Sequence, residues 1–145
     1  MTGPTDGGAD APFAGGCACG AIRYSVIGTP VAGVECHCTD CRKDSGTGHA
    51  SHLAFMGATV TLTGTPATHH MMADSGATKT RGFCPACGTP VTLTFAARPE
   101  FFSVRAGTLD DPDRYVPTIV TYASRRPAWD VGHPGLPTFA EMPPR

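Results

Sequence analysis

The side chains with the clearest chemical potential in this sequence are the thiols. All seven cysteines lie in short C-x-C or C-x-x-C groups, and an odd number cannot pair completely into disulfides. Such clusters, in a chain with no visible export signal, are more typical of metal ligands or redox dithiols than of structural cross-links. We therefore expect the cysteines to bind metal and the surrounding elements to hold them in place.

Two of the cysteine groups are alike and lie far apart in the chain. Gly16–Gly20 and Cys84–Gly88 each contain a cysteine pair that is closed by a glycine and followed by an alternating strand. Glycine permits the tight turn that directs two sulfurs at one ion, as in a zinc knuckle. The pattern predicts a structural, four-thiolate zinc site, with free cysteines packed as small hydrophobic side chains as the alternative. Its ligands would be Cys17, Cys19, Cys84 and Cys87.

The remaining cysteines, Cys36, Cys38 and Cys41, form one local C-x-C-x-x-C group. Three thiolates fill three corners of a tetrahedron, and an open fourth position is typical of a catalytic zinc site. Zinc with three thiolates is a weak Lewis acid toward water but suits soft ligands. A small thiol substrate could lose its proton there and attack or release a carbonyl carbon. These residues are the predicted catalytic group and the ligands of a second Zn²⁺.

Several side chains near this group could change its chemistry. His37, His49 or His52 could supply a fourth ligand, although the position of His37 between two cysteines would direct it away. Cys38 and Cys41 could instead act as a redox dithiol, but the βαβ context of thioredoxin-like proteins is missing. The sequence alone leaves the occupant of the fourth position open.

Two cations, Arg42 and Lys43, directly follow Cys41. Beside an anionic cluster they could lower the pKa of nearby thiols and bind the carboxylates of a substrate. They could equally belong to a solvated surface, which is the default for exposed charge. We treat them as candidate substrate-binding residues.

The elements that would position these residues are mainly strands. Five segments alternate apolar and polar residues or are rich in β-branched and aromatic residues, with Gly, Pro or Asp between them. The predicted strands are Ile22–Val26, Thr59–Thr63, Val91–Phe95, Phe101–Val104 and Thr118–Tyr122. With 18 Gly, 14 Pro and 16% charged residues, the composition also favours a turn-rich β domain.

Helix is expected only locally, because no segment repeats apolar residues at helical spacing over three turns. Thr39 or Asp40 could cap a single turn over residues 41–44, which Gly46 would end. The Gly- and Pro-rich segment Trp129–Phe139 is expected to be irregular and to be anchored across the sheet by its two aromatic ends.

The length of 145 residues suits one domain with one core. We expect a single zinc domain over residues 13–140, a disordered Gly-rich tail over 1–12 and a short tail over 141–145. Within the domain, His69–Met72 is expected to lie in a polar loop. Gly107–Pro112 is expected to be a turn stabilised by aspartate side chains.

The overall charge of the chain narrows the classes of partner. A formal charge of -1 and a pI near 6.6 provide no basic surface for nucleic acid. The first residues lack the features of a signal or transit peptide, and no apolar run approaches the roughly 20 residues of a membrane span. We expect a soluble protein of the reducing cytoplasm that binds neither nucleic acid nor membrane. Its oligomeric state is left open.

Taken together, these motifs resemble the glutathione-dependent formaldehyde-activating enzyme family, which includes the centromere protein V type of domain. The matching segments follow the order of the family over roughly residues 13–140. They are Gly16–Gly20, Cys36–Lys43, Arg81–Gly88, Gly107–Asp110 and Trp129. Seven cysteines in this ordered spacing are far more specific than a single C-x-x-C motif.

The resemblance implies a mainly β, Mss4-like fold of several small coiled antiparallel sheets, held by the four-thiolate zinc. It implies two Zn²⁺ per chain, on the two cysteine groups described above. The implied activity is that of a carbon–sulfur lyase that interconverts S-(hydroxymethyl)glutathione with formaldehyde and glutathione, so the expected partner is a small thiol substrate. Two other functions stay open: a non-catalytic zinc module that binds a protein partner, and a zinc or thiol redox protein.

Overall fold

The computed structural model describes residues 11–73 and 75–144, so residues 1–10 of the predicted tail lie outside the described residues. In the part of the chain that it describes, ten strands and one α-helix follow in the order β1 (Phe13–Gly16), β2 (Arg23–Ile27), β3 (Ala32–Cys36), α1 (Thr39–Ser45), β4 (Ala50–Met56), β5 (Thr59–Thr63), β6 (Ala67–Met72), β7 (Thr78–Phe83), β8 (Pro90–Phe95), β9 (Phe101–Arg105) and β10 (Ile119–Thr121). The prediction of a mainly β protein is confirmed, and the arrangement fits an Mss4-like fold. Among these residues, no helix has the length and apolar character needed to span a membrane.

The strands form two sheets. β1, β2 and β5 make an antiparallel three-stranded sheet, and the other seven lie in the order β10-β3-β4-β9-β8-β7-β6. Neighbours in the larger sheet are antiparallel except for β10, which pairs in parallel with β3. β3 therefore lies between β10 and β4, and the cysteine-rich segment continues from the end of this internal strand.

The main core is shared by strands of the two sheets. Phe13 of β1 packs edge-on against Phe55 of β4 with ring centroids 5.3 Å apart, and Val26 of β2 is fully buried beside them. Each such side chain contributes about 1.5–3 kcal/mol through the apolar surface it removes from water. Cys17 and Cys84 belong to the same core, so one cysteine of each knuckle is tied to it.

All five predicted strands are present, with ends that differ from the prediction by at most one residue. The sequence does not predict β1, β3, β4, β6 and β7. β4 is buried on both faces along most of its length and therefore shows no alternation of apolar and polar residues. β1, β3 and β7 contain glycines, which weaken a strand pattern.

The prediction of a loop at His69–Met72 is wrong. These residues lie in β6, the edge strand of the larger sheet, and pair with β7. An edge strand has one unpaired side and a solvated face, so it needs no apolar alternation. Met72, at 72% exposure, illustrates how little burial this strand requires.

The helical turn forms where it is predicted but begins earlier. The N-cap of α1 is Cys38, whose sulfur accepts a hydrogen bond from the Cys41 N–H at 3.3 Å, so the expected cap at Thr39 or Asp40 is wrong. Gly46 ends the helix in the left-handed region at φ 77°. Because a cysteine sulfur caps it, the start of the helix and the second cysteine group are built from the same residues.

The segment after β10 is irregular, as predicted, but Trp129 does not anchor it. The Trp129 side chain is 67% exposed, whereas Phe139 is half-buried. Backbone hydrogen bonds hold the segment instead: the Val120 N–H donates to the Pro137 carbonyl, and the Phe139 N–H donates to the Val120 carbonyl, each at 2.9 Å.

The expected aspartate turn is also present, since the Asp111 side chain accepts a hydrogen bond from the backbone N–H of Asp113.

Candidate metal centres

Four cysteines converge from the two knuckles. The sulfurs of Cys17, Cys19, Cys84 and Cys87 all lie within 4.8 Å of one another. Cys19 Sγ is 3.6 Å from Cys17 Sγ and 3.7 Å from Cys84 Sγ. Sulfurs at the zinc–thiolate distance of about 2.3 Å form a tetrahedron with edges of roughly 3.8 Å. The four residues can therefore hold one tetrahedral metal ion.

The two knuckles have the same backbone construction. The Gly20 N–H donates to the Cys17 carbonyl at 3.2 Å, and the Gly88 N–H donates to the Cys84 carbonyl at 2.8 Å. Both glycines have φ near 80°, which residues with a side chain rarely adopt. The Ile22 N–H donates to Cys17 Sγ at 3.2 Å. Such donors orient the sulfurs and stabilise their negative charge.

The second group consists of Cys36, Cys38 and Cys41, whose sulfurs also lie within 4.8 Å of one another. Cys36 ends β3, Cys38 caps α1 and Cys41 lies in the first turn of the helix. All three are at most 8% exposed. Within the described residues, no other His, Cys, Asp or Glu atom joins the group at that distance. The fold thus brings together three potential thiolate ligands, and no fourth one is grouped with them among the described residues.

Without a metal, the three sulfurs share their protons unequally. Hydrogen bonds from Cys36 and Cys41 lower the pKa of Cys38, and the Cys41 N–H and the Lys79 charge act in the same direction. The same contacts with Cys36 and Cys38, together with burial, raise the pKa of Cys41. Cys38 is therefore the first of the three to become a thiolate, which is the form that binds metals and attacks electrophiles.

His52 lies beside this group and contacts one of its sulfurs. Arg105 Nη1 is 2.6 Å from His52 Nδ1 and 3.3 Å from Nε2. Because a guanidinium can only donate, the closer nitrogen is the acceptor and Nε2 carries the proton. Nε2 lies 3.4 Å from Cys41 Sγ. Burial lowers the pKa of His52 to about 4, so the neutral ring donates a hydrogen bond to the sulfur and does not act as a ligand in this arrangement.

Ion pairs between the larger sheet and α1 hold the helix. Lys79 Nζ lies 3.2 Å from Asp40 Oδ2, and Arg81 Nη1 lies 2.8 Å from Asp44 Oδ1. Arg105 also pairs with Asp44. These pairings do not follow from the sequence because the partners are up to 61 positions apart, although the alternate basic residues of β7 indicate one charged face. These contacts fix the helix that carries Cys41.

Arg42 and Lys43 lie in the last turn of α1, where cations are favoured by the helix dipole. Arg42 is half-buried and Lys43 is exposed. They are close in sequence to the three-cysteine group and remain candidates for binding a substrate carboxylate.

The histidines at 37 and 49 form a separate cluster with Asp130. Side chains alternate along β3, so Glu35 and His37 face away from Cys36. His49 Nδ1 is 2.6 Å from Asp130 Oδ2, and His37 Nδ1 is 3.5 Å from the same oxygen. Neither histidine therefore serves as the fourth ligand of the three-cysteine group in this structure.

Tyr122 closes the three-cysteine group on the side of β10. It packs in one buried cluster with the three cysteines and adopts a left-handed backbone conformation, with φ 53° and ψ 37°. Burial, followed by the nearby charges of Cys36 and Cys38, raises its pKa, so the phenol stays protonated at neutral pH. A residue other than glycine in this conformation next to a candidate site indicates a functional or packing constraint.

Comparison with known proteins places the chain in a family. A Rhodobacter sphaeroides protein of known crystal structure superposes with a TM-score of 0.53 at 16% identity, covering 88% of this chain and 99% of that one. This likeness concerns the fold. No curated protein matches the chain. The family model for the glutathione-dependent formaldehyde-activating enzyme matches residues 12–125, which include all seven cysteines. The chain therefore belongs to the glutathione-dependent formaldehyde-activating enzyme family.

Proposed function

We propose that this protein is a zinc-dependent carbon–sulfur lyase of the S-(hydroxymethyl)glutathione synthase type, acting on a small thiol adduct in the cytoplasm. The observation that carries the proposal is the convergence of three buried cysteine sulfurs without a fourth protein ligand among the described residues. Family membership supports the reaction class. Glutathione is the thiol that the family description names.

The two cysteine groups have different roles in this proposal. Cys17, Cys19, Cys84 and Cys87 hold a structural Zn²⁺ that contributes to folding. Cys36, Cys38 and Cys41 hold a second Zn²⁺, which would supply a Lewis-acid centre that favours the thiolate form of a bound thiol. The three cysteines fit a zinc ion, because thiolates bind zinc well and few other common cellular ions prefer them.

The protein side chains around the second group orient it and tune its charge. The hydrogen bond from His52 Nε2 to Cys41 Sγ withdraws charge from that sulfur, as outer-shell donors do. Arg105 fixes the His52 tautomer, and the ion pairs of Lys79 and Arg81 hold α1. Arg42 and Lys43 would bind the substrate carboxylates.

The proposed reaction joins a thiol and formaldehyde without an external oxidant or reductant. The thiol sulfur forms a bond to the carbonyl carbon, the C=O double bond becomes a C–O single bond, and the thiol proton ends on that oxygen. Cleavage of the same C–S bond is the reverse, lyase direction. The catalyst must hold the sulfur as a thiolate, which is what the three-cysteine centre is proposed to do.

The test is the exchange of ¹³C-labelled formaldehyde with S-(hydroxymethyl)glutathione, followed by NMR together with the zinc content. Cys38→Ser should abolish the enzyme-dependent exchange and lose one zinc per chain relative to the unchanged protein, while the circular dichroism spectrum persists. Exchange that continues in Cys38→Ser would refute the catalytic role of this centre. Loss of the fold would show that the second site is structural.

A matched pair of arginine variants tests the substrate-binding residues. Arg42→Gln should raise KM for glutathione, because a carboxylate partner is lost. Arg98→Gln, which removes an exposed arginine of the β8–β9 connection, should leave KM unchanged. Equal KM values in the two variants would remove Arg42 from the proposed site.

A non-catalytic zinc module is the second candidate. The observation that favours it is the burial of the three cysteines, since none is more than 8% exposed. A cavity of about 510 Å³ lies elsewhere, lined by residues that include Phe13, Val31 and Val116, and no cysteine lines it. Two thiolate-bound zincs without any enzyme-dependent exchange for glutathione or other small thiols would favour this function.

A further inference from the structure

A second set of potential ligands lies on the face of the β3–β4 pair opposite the three cysteines. The register pairs Glu35 with Ser51 and Cys36 with Ala50, so adjacent rungs present their side chains to opposite faces. We propose that His37, His49 and Asp130 bind a third divalent metal ion of the Zn²⁺ type through nitrogen and oxygen. This proposal does not depend on the catalytic function of the cysteines.

The three ligand atoms already lie close together. One atom from each of the three residues lies within 4.8 Å of the others. Asp130 Oδ2 is 3.5 Å from His37 Nδ1, close to the edge of roughly 3.3 Å expected for tetrahedral nitrogen and oxygen ligands about 2.0–2.1 Å from zinc. The same oxygen is 2.6 Å from His49 Nδ1, so binding needs these two atoms to separate by less than 1 Å.

The other nitrogen of His49 supplies the support that metal-binding histidines usually have. Without an ion, His49 Nδ1 donates to Asp130 Oδ2. His49 Nε2 lies 3.3 Å from Glu35 Oε2, so a metal ion on Nδ1 would move the proton to Nε2, where a carboxylate can accept it. Glu35 is itself held by the Ser51 hydroxyl and by His133 Nε2, the latter at 2.9 Å. Glu35 and His49 thus form a carboxylate–histidine pair, and the other nitrogen of His49 faces Asp130.

Burial and charge also favour a cation. The His37 ring is fully buried, and the Glu35 and Asp130 side chains are only 5% and 11% exposed. The ion-pair partners described for both carboxylates are imidazoles. Two largely buried negative charges are costly unless cations compensate them, and a divalent ion would do so without protonating the imidazoles.

The backbone makes room for the cluster at Gly48. A Cβ atom at this position would lie 2.3 Å from Asp130 Oδ2, closer than real side chains approach. The Gly48 carbonyl oxygen accepts a hydrogen bond from His37 Nδ1 at 3.1 Å, so a metal ion bound at Nδ1 would replace that proton and leave the other ring nitrogen protonated. Glycine at 48 thus allows the segment before β4 to pack closely against Asp130, which lies in the C-terminal segment.

The experiment loads the full chain with Co²⁺ in reducing buffer and measures cobalt per chain and the absorption spectrum. We expect three Co²⁺ in the unchanged protein: two with intense sulfur-to-cobalt charge-transfer bands, and a third that adds only weak visible bands typical of nitrogen and oxygen ligands. His49→Ala and Asp130→Asn should each lose the third ion and keep the charge-transfer bands. His69→Ala, an exposed histidine of β6, is the matched control and should keep all three.

Two outcomes would overturn the proposal. In the first, the unchanged protein binds only the Co²⁺ ions that the sulfur-to-cobalt bands account for. The cluster of His37, His49 and Asp130 would then be a hydrogen-bonded structure only. The other is retention of the third ion in Asp130→Asn, a nearly isosteric variant that decides the question even if His49→Ala does not fold.

Discussion

Arg105 offers a direct test of how the three-cysteine group is supported. Arg105 is 8% exposed. It pairs with Asp44 of α1 and donates to His52 Nδ1 at 2.6 Å. Arg105→Met keeps an unbranched apolar stem but removes both contacts. The change therefore removes the group that joins the cysteine-bearing helix to the histidine beside Cys41.

The expected magnitude follows from the burial of the pair. Breaking a buried ion pair by removing one partner costs about 3–5 kcal/mol, because the other charge is left uncompensated. Asp44 keeps its contact with Arg81 Nη1 at 2.8 Å, so a cation still compensates part of its charge. We therefore expect the lower end of that range, about 3 kcal/mol. Arg98→Met is the control, because Arg98 and Glu100 are about half exposed and 3.9 Å apart, and an exposed pair contributes about 0–1 kcal/mol.

The assay is urea unfolding at pH 7 and a fixed free zinc concentration, since bound metal adds to the apparent stability. Arg105→Met should lower the midpoint without changing the slope, and a double-mutant cycle with Asp44→Asn should give a coupling of about 1–3 kcal/mol. A loss below about 1 kcal/mol, equal to that of Arg98→Met, would refute the reasoning. It would mean that the pair is solvated in solution.

Three further predictions concern single positions. In the metal-free, reduced protein, hydrogen bonds from Thr89 lower the pKa of Cys87 to about 5. By contrast, the pKa of Cys19 is lowered by the backbone at Ala21 but raised overall, to about 11, by the neighbouring sulfurs. Iodoacetamide should therefore alkylate Cys87 first at pH 7, with a rate that falls as the pH drops through about 5; equal rates for the two exposed thiols would contradict this. Tyr122→Gly should be about 1 kcal/mol more stable than Tyr122→Ala in thermal unfolding, because φ is 53°, and the opposite order would argue against backbone strain. Phe55→Ala should cost about 3–5 kcal/mol, since the ring is fully buried against Phe13, and a loss below 1.5 kcal/mol would argue against this packing.

The cysteine groups were the most predictable part of the molecule. A metal site of this kind needs particular residue types at short spacing, and the turn glycines at 20 and 88 identify the two knuckles from sequence. Strands with a regular sequence pattern were predictable for a similar reason, since apolar and polar residues alternate along β2 and β5. β4 was not predictable, because a strand buried on both faces has no period of two to detect.

The supporting side chains could not be predicted because they come together only through long-range pairing. Arg105 reaches His52 because β9 pairs with β4 and sets these two residues opposite each other. Asp130 reaches His49 across 81 positions of chain. Neither pairing follows from local spacing, so sequence motifs alone do not identify these supporting residues.

The division of ligands between the two faces of β3–β4 follows from the same alternation that defines a strand. Cys36 and Ala50 share one face, while Glu35 and Ser51 share the other, so sulfur lies on one side and oxygen and imidazole ligands on the other. Soft thiolates favour Zn²⁺ and Cu⁺, whereas nitrogen and carboxylate ligands also accept other divalent ions. A one-residue slip of this register would exchange the faces and bring Glu35 among the thiolates. An insertion in β3 should therefore remove the ions of both faces together, whereas Cys38→Ser should remove only the ion of the three-cysteine group; cobalt per chain distinguishes the two.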